Sequence, residues 1–75
     1  MLKLYTKTIC PKCLWVKSEI DVANLRVEII NLDQSAEALH YVQEAGFAAV
    51  PLLESNGEWF AQVPEILAHI EKLTK

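Results

Sequence analysis

Two cysteines with two residues between them have the clearest chemical potential in this sequence. Cys10 and Cys13 are also the only cysteines in the 75-residue chain. A bridge across so short a loop would constrain the unfolded chain very little, because the entropic effect of a disulfide grows with loop length. The spacing therefore indicates redox chemistry, in which the two thiols form a disulfide and are reduced again, rather than structural cross-linking.

The elements on either side of the pair favour a reactive thiolate at Cys10. Residues 2–6 alternate between apolar and polar side chains and predict a strand, and Pro11 suits the first turn of a helix. A helix N-terminus directs free N–H groups and a partial positive charge at the residue before it, and the thiolate is the form that attacks a disulfide. Cys13, one turn later on the predicted buried face, is placed to resolve the mixed disulfide formed at Cys10.

Charge is distributed unevenly along the chain. The first 18 residues hold four lysines and no acid, although the net charge of the whole chain is −3. Lys7 and Lys12, on either side of Cys10, are predicted to support its thiolate. The alternative is a chance cluster of lysines on a solvated face. The negative net charge argues against a nucleic-acid partner.

The remaining pattern predicts the element order β-α-β-α-β-β-α in one domain over residues 1–75. Leu2 to Thr6 is the first strand, and the other elements are a helix over residues 11–23, a strand over 25–32, a helix capped by Asp33 or Ser35 and stopped by Gly46, a strand over 49–54, an Asn56-Gly57 turn, a strand over 58–61 and a helix opened by Pro64. Since strands joined through a helix are parallel and strands of a hairpin are antiparallel, this order predicts an α/β fold. It has a four-stranded mixed sheet with helices on its two faces.

Other functions for the cysteines fit the sequence less well. A structural zinc site needs a second pair of ligands, and only His40 and His69 are available, each on its own predicted helix and each expected to be solvated. Inert buried cysteines would not need Pro11 or the strand-to-helix position. No metal site is therefore predicted. No apolar run is long enough to span a membrane and no signal-peptide pattern precedes the first strand, so a cytoplasmic protein is expected.

The two tryptophans favour different interpretations. Trp15 lies off the apolar stripe of the first helix. It could serve as an exposed docking surface beside the cysteine pair, and partial packing is an equal alternative. Trp59 lies in a predicted strand and is interpreted as a core residue.

The segment Tyr5-Thr6-Lys7-Thr8-Ile9-Cys10-Pro11-Lys12-Cys13 resembles the active-site segment of glutaredoxins, which carry Cys-Pro-Tyr-Cys after a short strand. Val50-Pro51 is similar to their Thr-Val-Pro segment, with Ala49 in place of threonine. The element order agrees over essentially the whole chain. The resemblance implies a thioredoxin-like fold and thiol-disulfide oxidoreductase activity with no bound cofactor. It also implies a cis peptide bond at Pro51, which would lie against the cysteine pair, and a Val50 backbone that pairs with the thiol substrate.

One segment departs from the glutaredoxin pattern. Glutaredoxins usually follow the fourth strand with Gly-Gly and an acidic pair that bind glutathione, whereas this chain has Ala61-Gln62-Val63-Pro64-Glu65. The short NrdH-type redoxins have a similar size and also lack a full glutathione site. They are reduced by a flavoprotein thioredoxin reductase and supply electrons to ribonucleotide reductase. Their Trp-Ser-Gly-Phe segment is only loosely echoed by Trp59-Phe60-Ala61-Gln62.

The leading hypothesis is a soluble, monomeric dithiol electron carrier that reduces protein disulfides and contributes to cell redox homeostasis. Its reductant is predicted to be either a thioredoxin-reductase-type flavoprotein or glutathione, and ribonucleotide reductase is a candidate target. One alternative is a glutathione-dependent iron–sulfur cluster carrier, which would be brown after anaerobic reconstitution. A second is a binding adaptor with a vestigial motif, which would show no disulfide exchange.

Overall fold

A computed structural model describes residues 2–74, which form four strands and three helices in the predicted order. The elements are β1 (Leu2–Thr6), α1 (Pro11–Ala23), β2 (Val27–Asn31), α2 (Ala36–Glu44), β3 (Leu52–Ser55), β4 (Glu58–Phe60) and α3 (Val63–Leu73). This arrangement is the thioredoxin-like fold that the sequence predicted.

The sheet has the strand order β2-β1-β3-β4, with β1 inside it. β1 pairs in parallel with β2, from Leu2 opposite Val27 to Thr6 opposite Asn31. β1 is antiparallel to β3, which forms a hairpin with β4. Asn56 and Gly57 both have positive φ, as a type I′ turn requires. Within residues 2–74, β2 is an edge strand, with β1 as its one partner strand.

Two apolar layers cover the two faces of the sheet, because neighbouring residues of a strand point to opposite sides. On one face α1 and α3 pack together against β1 and β3, through the buried residues Leu4, Val16, Ile20, Leu53, Ile66 and Ile70. On the other face α2 covers the sheet, through Tyr5, Leu32, Val42 and Leu52. The predicted stripe of α1 is thus buried, and Cys13 belongs to it.

Aromatic side chains extend the α2 layer. Trp59 stacks on Tyr5 at 6.0 Å between ring centroids and lies 5.1 Å from the ring of Phe47, so it packs against the core, but it is only partly buried. The two tyrosine hydroxyls donate to one carboxylate: Tyr5 to Oε1 of Glu54 at 2.8 Å and Tyr41 to Oε2 at 2.6 Å. Glu54 therefore links the central strand β1 to α2.

Several element boundaries differ from the predictions for local reasons. β3 begins at Leu52 rather than at residue 49, directly after Pro51, which has no N–H to donate to the sheet. β2 is shorter than predicted at both ends, and α3 begins one residue before Pro64. Ser35 caps α2 by accepting a hydrogen bond from the N–H of Ala38. Gly46, with φ of 93°, follows the end of α2 as expected.

The two histidines differ in environment. His40 is exposed and lies 3.4 Å from Glu44 on the same helix, in agreement with the prediction of a solvated residue. His69 is half-buried, stacks on the ring of Phe60 and forms a 3.1 Å hydrogen bond with Ser55. The prediction of a solvated His69 was wrong, because the β3–β4 hairpin packs against its helix.

Candidate active site

The cysteine pair lies at the N-terminus of α1 and is disulfide-bonded. Cys10 is the N-cap residue, with an extended backbone (φ −156°, ψ 92°), and Pro11 follows in the first turn. The backbone N–H of Cys13 donates a hydrogen bond to Sγ of Cys10 at 3.1 Å. Such N-cap bonds are normally made to side-chain oxygens. Here a sulfur occupies the position where the helix concentrates its free N–H groups and positive partial charge.

The two cysteines differ in accessibility. Cys13 is buried, with 2% of its surface exposed, whereas Cys10 is only partly buried. A partner molecule approaching the pair would reach the sulfur of Cys10 first. Ile9, immediately before Cys10, is 90% exposed. The difference follows from the helix geometry, since Cys13 shares the buried stripe with Val16 while Cys10 precedes the helix.

Hydrogen bonds from the end of β2 hold the loop that leads to Cys10. The backbone N–H of Thr8 donates to Oδ2 of Asp33 at 2.9 Å, and Nδ2 of Asn31 donates to Oγ1 of Thr8 at 3.3 Å. The backbone N–H of Asp33 in turn donates to Oδ1 of Asn31 at 2.8 Å. We call Thr8, Asn31 and Asp33 the loop clamp. It joins the β1–α1 connection to the β2–α2 connection.

The loop clamp also changes the electrostatics next to the cysteines. The hydrogen bond from the Thr8 backbone lowers the pKa of the Asp33 carboxyl, and the Thr8 side chain and the charge of Lys7 act in the same direction. Asp33 therefore places a negative charge near Lys7. The sequence predicts Asp33 only as a possible cap of the second helix. Its role was hidden because the two loops meet only when β1 and β2 pair.

A cleft of about 270 Å³ contains both cysteines. It is bounded by α1, by the β1–α1 connection and by the last residues of β2, and its lining residues are Thr6, Lys7, Thr8, Cys10, Cys13, Leu14, Lys17, Ile29, Asn31 and Gln34. Of the two lysines predicted to support the thiolate, the cleft includes Lys7 but not Lys12, which is exposed on the helix. Lys17 lines the cleft instead, one turn after Leu14.

The Val50–Pro51 peptide bond is cis, as the resemblance implied. Pro51 is buried and directly precedes Leu52, which pairs with Tyr5 of β1. The start of β3 thus lies at the same sheet edge as the end of β1, from which the chain continues to the cysteines. Neither Val50 nor Pro51 lines the cysteine cleft, and the Val50 side chain packs against the α2 layer.

Trp15 faces a different part of the surface. It is 54% exposed, but the groove that it lines lies between α1 and α3, together with Val22 and Ile70, and excludes both cysteines. The exposure that the sequence predicted is present, and Trp15 does not line the cleft that contains the cysteines. The 3.6-residue repeat of the helix turns Trp15 away from Leu14 and Lys17, which line the cysteine cleft.

Among residues 2–74, no group of three or more His, Cys, Asp or Glu side chains is placed to hold a metal ion. Over the same part of the chain, no helix is both long and apolar enough to cross a membrane.

Comparison with known proteins identifies the family. The glutaredoxin family model matches residues 2–60, so the chain belongs to the glutaredoxin family of thiol-disulfide oxidoreductases. It is 30% identical over 56 residues to the glutaredoxin-like protein NrdH of Lactococcus lactis subsp. lactis (strain IL1403), a match covering 75% of this chain and 78% of that protein.

Solved structures agree on the fold. The glutaredoxin-like protein NrdH-redoxin of Escherichia coli, described as having a thioredoxin-like activity profile, superposes with a TM-score of 0.83 at 22% identity, covering 96% of this chain and 92% of that one. Buckwheat glutaredoxin in its glutathione complex superposes with a TM-score of 0.72 at 24% identity, covering 97% of this chain and 77% of that one.

Proposed function

We propose that this protein is a dithiol electron carrier that reduces disulfides in other proteins. The observation that carries the proposal is the asymmetry of the pair at the helix N-terminus. Cys10 is only partly buried and its sulfur accepts a backbone hydrogen bond, while Cys13 is buried. One sulfur is thus placed to meet a partner, and the other is placed to complete the reaction inside the protein.

The reaction has two exchange steps. The Cys10 thiolate attacks one sulfur of the substrate disulfide, a mixed disulfide forms, and the other substrate sulfur leaves as a thiolate that takes up a proton. Cys13 then loses its proton and attacks the Cys10 sulfur, which releases the second substrate thiol and leaves the Cys10–Cys13 disulfide. Two electrons pass from the dithiol to the substrate, and the bonded pair of the structure is the oxidised product.

Surrounding groups have distinct proposed roles. Lys7 lies in the cleft and favours the Cys10 anion by its charge, and Lys12 is proposed to contribute from the exposed first turn of α1. Pro11 starts the helix without losing a hydrogen bond, because an N–H at that position has no helical partner. The Val50 backbone before cis-Pro51 is proposed to pair with the substrate chain, by resemblance to other glutaredoxins.

We assign the reductant to a thioredoxin-reductase-type flavoprotein or another dithiol donor rather than to glutathione. The segment that usually binds glutathione is occupied by Ala61 and by Val63 and Pro64 in the first turn of α3. Glycines there would allow a ligand close to the backbone, and a proline removes an N–H donor for a carboxylate. Similarity to NrdH-type redoxins makes ribonucleotide reductase a target to test. We further propose that the protein acts as a cytoplasmic monomer.

The activity test uses cysteine variants of the whole chain. The reduced wild-type protein is expected to reduce a protein disulfide such as that of insulin, with dithiothreitol regenerating the dithiol. Cys10→Ser should abolish this activity, whereas Cys13→Ser should accumulate a mixed disulfide that mass spectrometry detects, because attack survives without resolution. Wild-type protein without any disulfide exchange would support the adaptor alternative and contradict the proposal.

The reductant test compares two systems on the oxidised protein. A flavoprotein thioredoxin reductase with NADPH should regenerate the thiols faster than glutathione with glutathione reductase, both followed by NADPH absorbance. Efficient regeneration at low millimolar glutathione would contradict our assignment. A brown protein with visible absorbance after anaerobic reconstitution with iron, sulfide and glutathione would favour the cluster-carrier alternative instead.

A further inference from the structure

The cleft beside the cysteines is at a different position from the segment that binds glutathione in other glutaredoxins. It lies towards the edge strand β2, because Ile29 and Asn31 of that strand line it, and Pro51 and residues 61–65 do not. A partner lying in this cleft would therefore contact the cysteine pair from the β2 side. The Val50 backbone, which precedes β3 on the other side of β1, would pair with a different part of the same substrate chain.

Apolar surface is exposed in the cleft next to the reactive sulfur. Leu14, which follows Cys13, is 65% exposed, and Ile29 is 41% exposed on β2. The register pairs Ile29 with Leu4, so Ile29 is on the face covered by α1, yet β2 is too far towards the edge to be covered fully. Two aliphatic side chains thus flank the cleft from opposite sides, which suits an aliphatic side chain of a partner.

The charge of the cleft is opposite in sign to that of the whole protein. Among the described residues that line it, two are lysines and none is acidic, although the chain carries a net charge of −3. Asp33 offsets part of the charge of Lys7. Lys17 has no carboxylate of residues 2–74 within salt-bridge distance, so its charge is available to a partner.

The size of the cleft restricts what it holds. Its volume of about 270 Å³ is below the roughly 300–1,000 Å³ of typical small-molecule sites. One or two side chains of a longer chain would fit better than a whole ligand. We infer that the cleft binds an extended segment of the protein substrate that carries an aliphatic side chain and a carboxylate close to its disulfide.

This inference rests on the proposed function and names the substrate class for it. The aliphatic side chain would pack between Leu14 and Ile29, and the carboxylate would lie near Lys17, while Cys10 attacks the disulfide. The bonds made and broken are those of the exchange reaction above. Selectivity would arise before the chemical step, from binding that holds the substrate sulfur near Cys10.

The test measures single-turnover reduction of two disulfide-bonded peptides that differ only in having Asp and Glu or Asn and Gln beside the cysteines. Wild-type protein should reduce the acidic peptide about three- to tenfold faster, with the preference decreasing at high salt. Lys17→Gln should lower this preference about two- to fivefold, whereas the matched control Lys72→Gln on α3 should not. Replacing the aliphatic residue of the peptide with serine should slow its reduction by the wild-type protein and should slow its reduction by Ile29→Ser less. The control variant Val22→Ser should respond to this peptide change as the wild-type protein does.

The outcomes separate the two proposals. If wild-type protein reduces both peptides equally, or if Lys72→Gln lowers the preference as much as Lys17→Gln, the segment-binding inference is overturned while the oxidoreductase proposal stands. If no peptide is reduced, the proposed function itself fails. If Lys17→Gln and Ile29→Ser slow the reduction of glutathione disulfide as much as they slow the reduction of the acidic peptide, the cleft is a glutathione site and the inference is again overturned. Lys17 is not fully buried, so Lys17→Gln is expected to fold. The charge test with this variant therefore stands even if Ile29→Ser does not fold fully.

Discussion

The carboxylate of Asp33 accepts a hydrogen bond from the backbone N–H of Thr8 at 2.9 Å, although the two residues are separated by 25 positions in the chain. Thr8 precedes the reactive cysteine by two residues, and Asp33 follows the second strand. The parallel pairing of β1 and β2 brings their carboxyl ends to one sheet edge, so the two connections meet there. The position of Cys10 therefore depends on a residue remote from it in sequence.

Asp33 is expected to make folding stability sensitive to acid. Its folded-state pKa is lowered, so its contribution is present above the unfolded value of about 3.9 and is lost as pH falls through the folded value. Asp33→Asn should therefore reduce the stability difference between about pH 5 and pH 2 in urea unfolding followed by circular dichroism. Asp21→Asn on α1 is the control, and an equal effect of both changes would contradict this role.

The thiol of Cys10 is expected to ionise below the roughly 8.5 of an unperturbed thiol, because the Cys13 N–H and the helix N-terminus stabilise the anion. Cys13→Ser leaves one cysteine, so ultraviolet thiolate absorbance against pH reports on Cys10 alone. Adding Lys7→Gln should raise the midpoint, whereas Lys3→Gln at the start of β1 should leave it unchanged. A midpoint at or above the reference value would refute the electrostatic argument.

The two tyrosines should ionise only at unusually high pH. Burial and then the hydrogen bond to Glu54 raise the pKa of Tyr5, and the Glu54 hydrogen bond is the main cause for Tyr41. These are the only tyrosines in the chain, so tyrosinate absorbance reports on both. Glu54→Gln should bring the pKa of Tyr41 closer to its ordinary value than that of Tyr5, because burial still raises the pKa of Tyr5 in this variant. An unchanged titration curve would show that Glu54 does not hold both hydroxyls in solution.

The same pKa shifts predict a loss of stability in alkali. A tyrosine whose folded pKa is raised stabilises the protein fully below its unfolded value of about 10, and the contribution decreases as pH rises above that value. The unfolding free energy should therefore fall above about pH 10. Tyr41→Phe, which has no hydroxyl to titrate, should show a shallower fall in denaturant unfolding. A fall equal to that of wild-type protein would count against the contribution of Tyr41.

Core packing beneath the cysteine helix should dominate stability. Leu53 is fully buried between the sheet and the α1 and α3 helices, so Leu53→Ala removes apolar contacts and leaves a cavity. The expected cost is about 2–5 kcal/mol in the free energy of unfolding. Val22→Ala, at a position 82% exposed on α1, should change it by less than about 0.5 kcal/mol. Similar values for the two variants would mean that this layer is not packed as described.

Local sequence signals determined the elements and the cysteine pair. Pro11 and the apolar stripe specify α1, Asn56-Gly57 specifies the hairpin, and the spacing of Cys10 and Cys13 specifies a pair at the helix start. These features depend on backbone preferences and on the 3.6-residue repeat of a helix, which act between residues close in the chain. For that reason the fold and the position of the cysteines were predictable.

Tertiary structure alone decided the surroundings of that pair. Asp33 and Asn31 hold the cysteine loop, Lys17 and Ile29 line its cleft, and His69 packs against the hairpin. Each of these relationships joins residues from different elements, so it exists only after the strands have paired and the helices have covered the sheet. The sequence predicts Lys12 as a charge close to Cys10, but Lys12 does not line the cleft. Lys17 lines it instead, because Lys17 is one helical turn after Cys13 and shares its helix face.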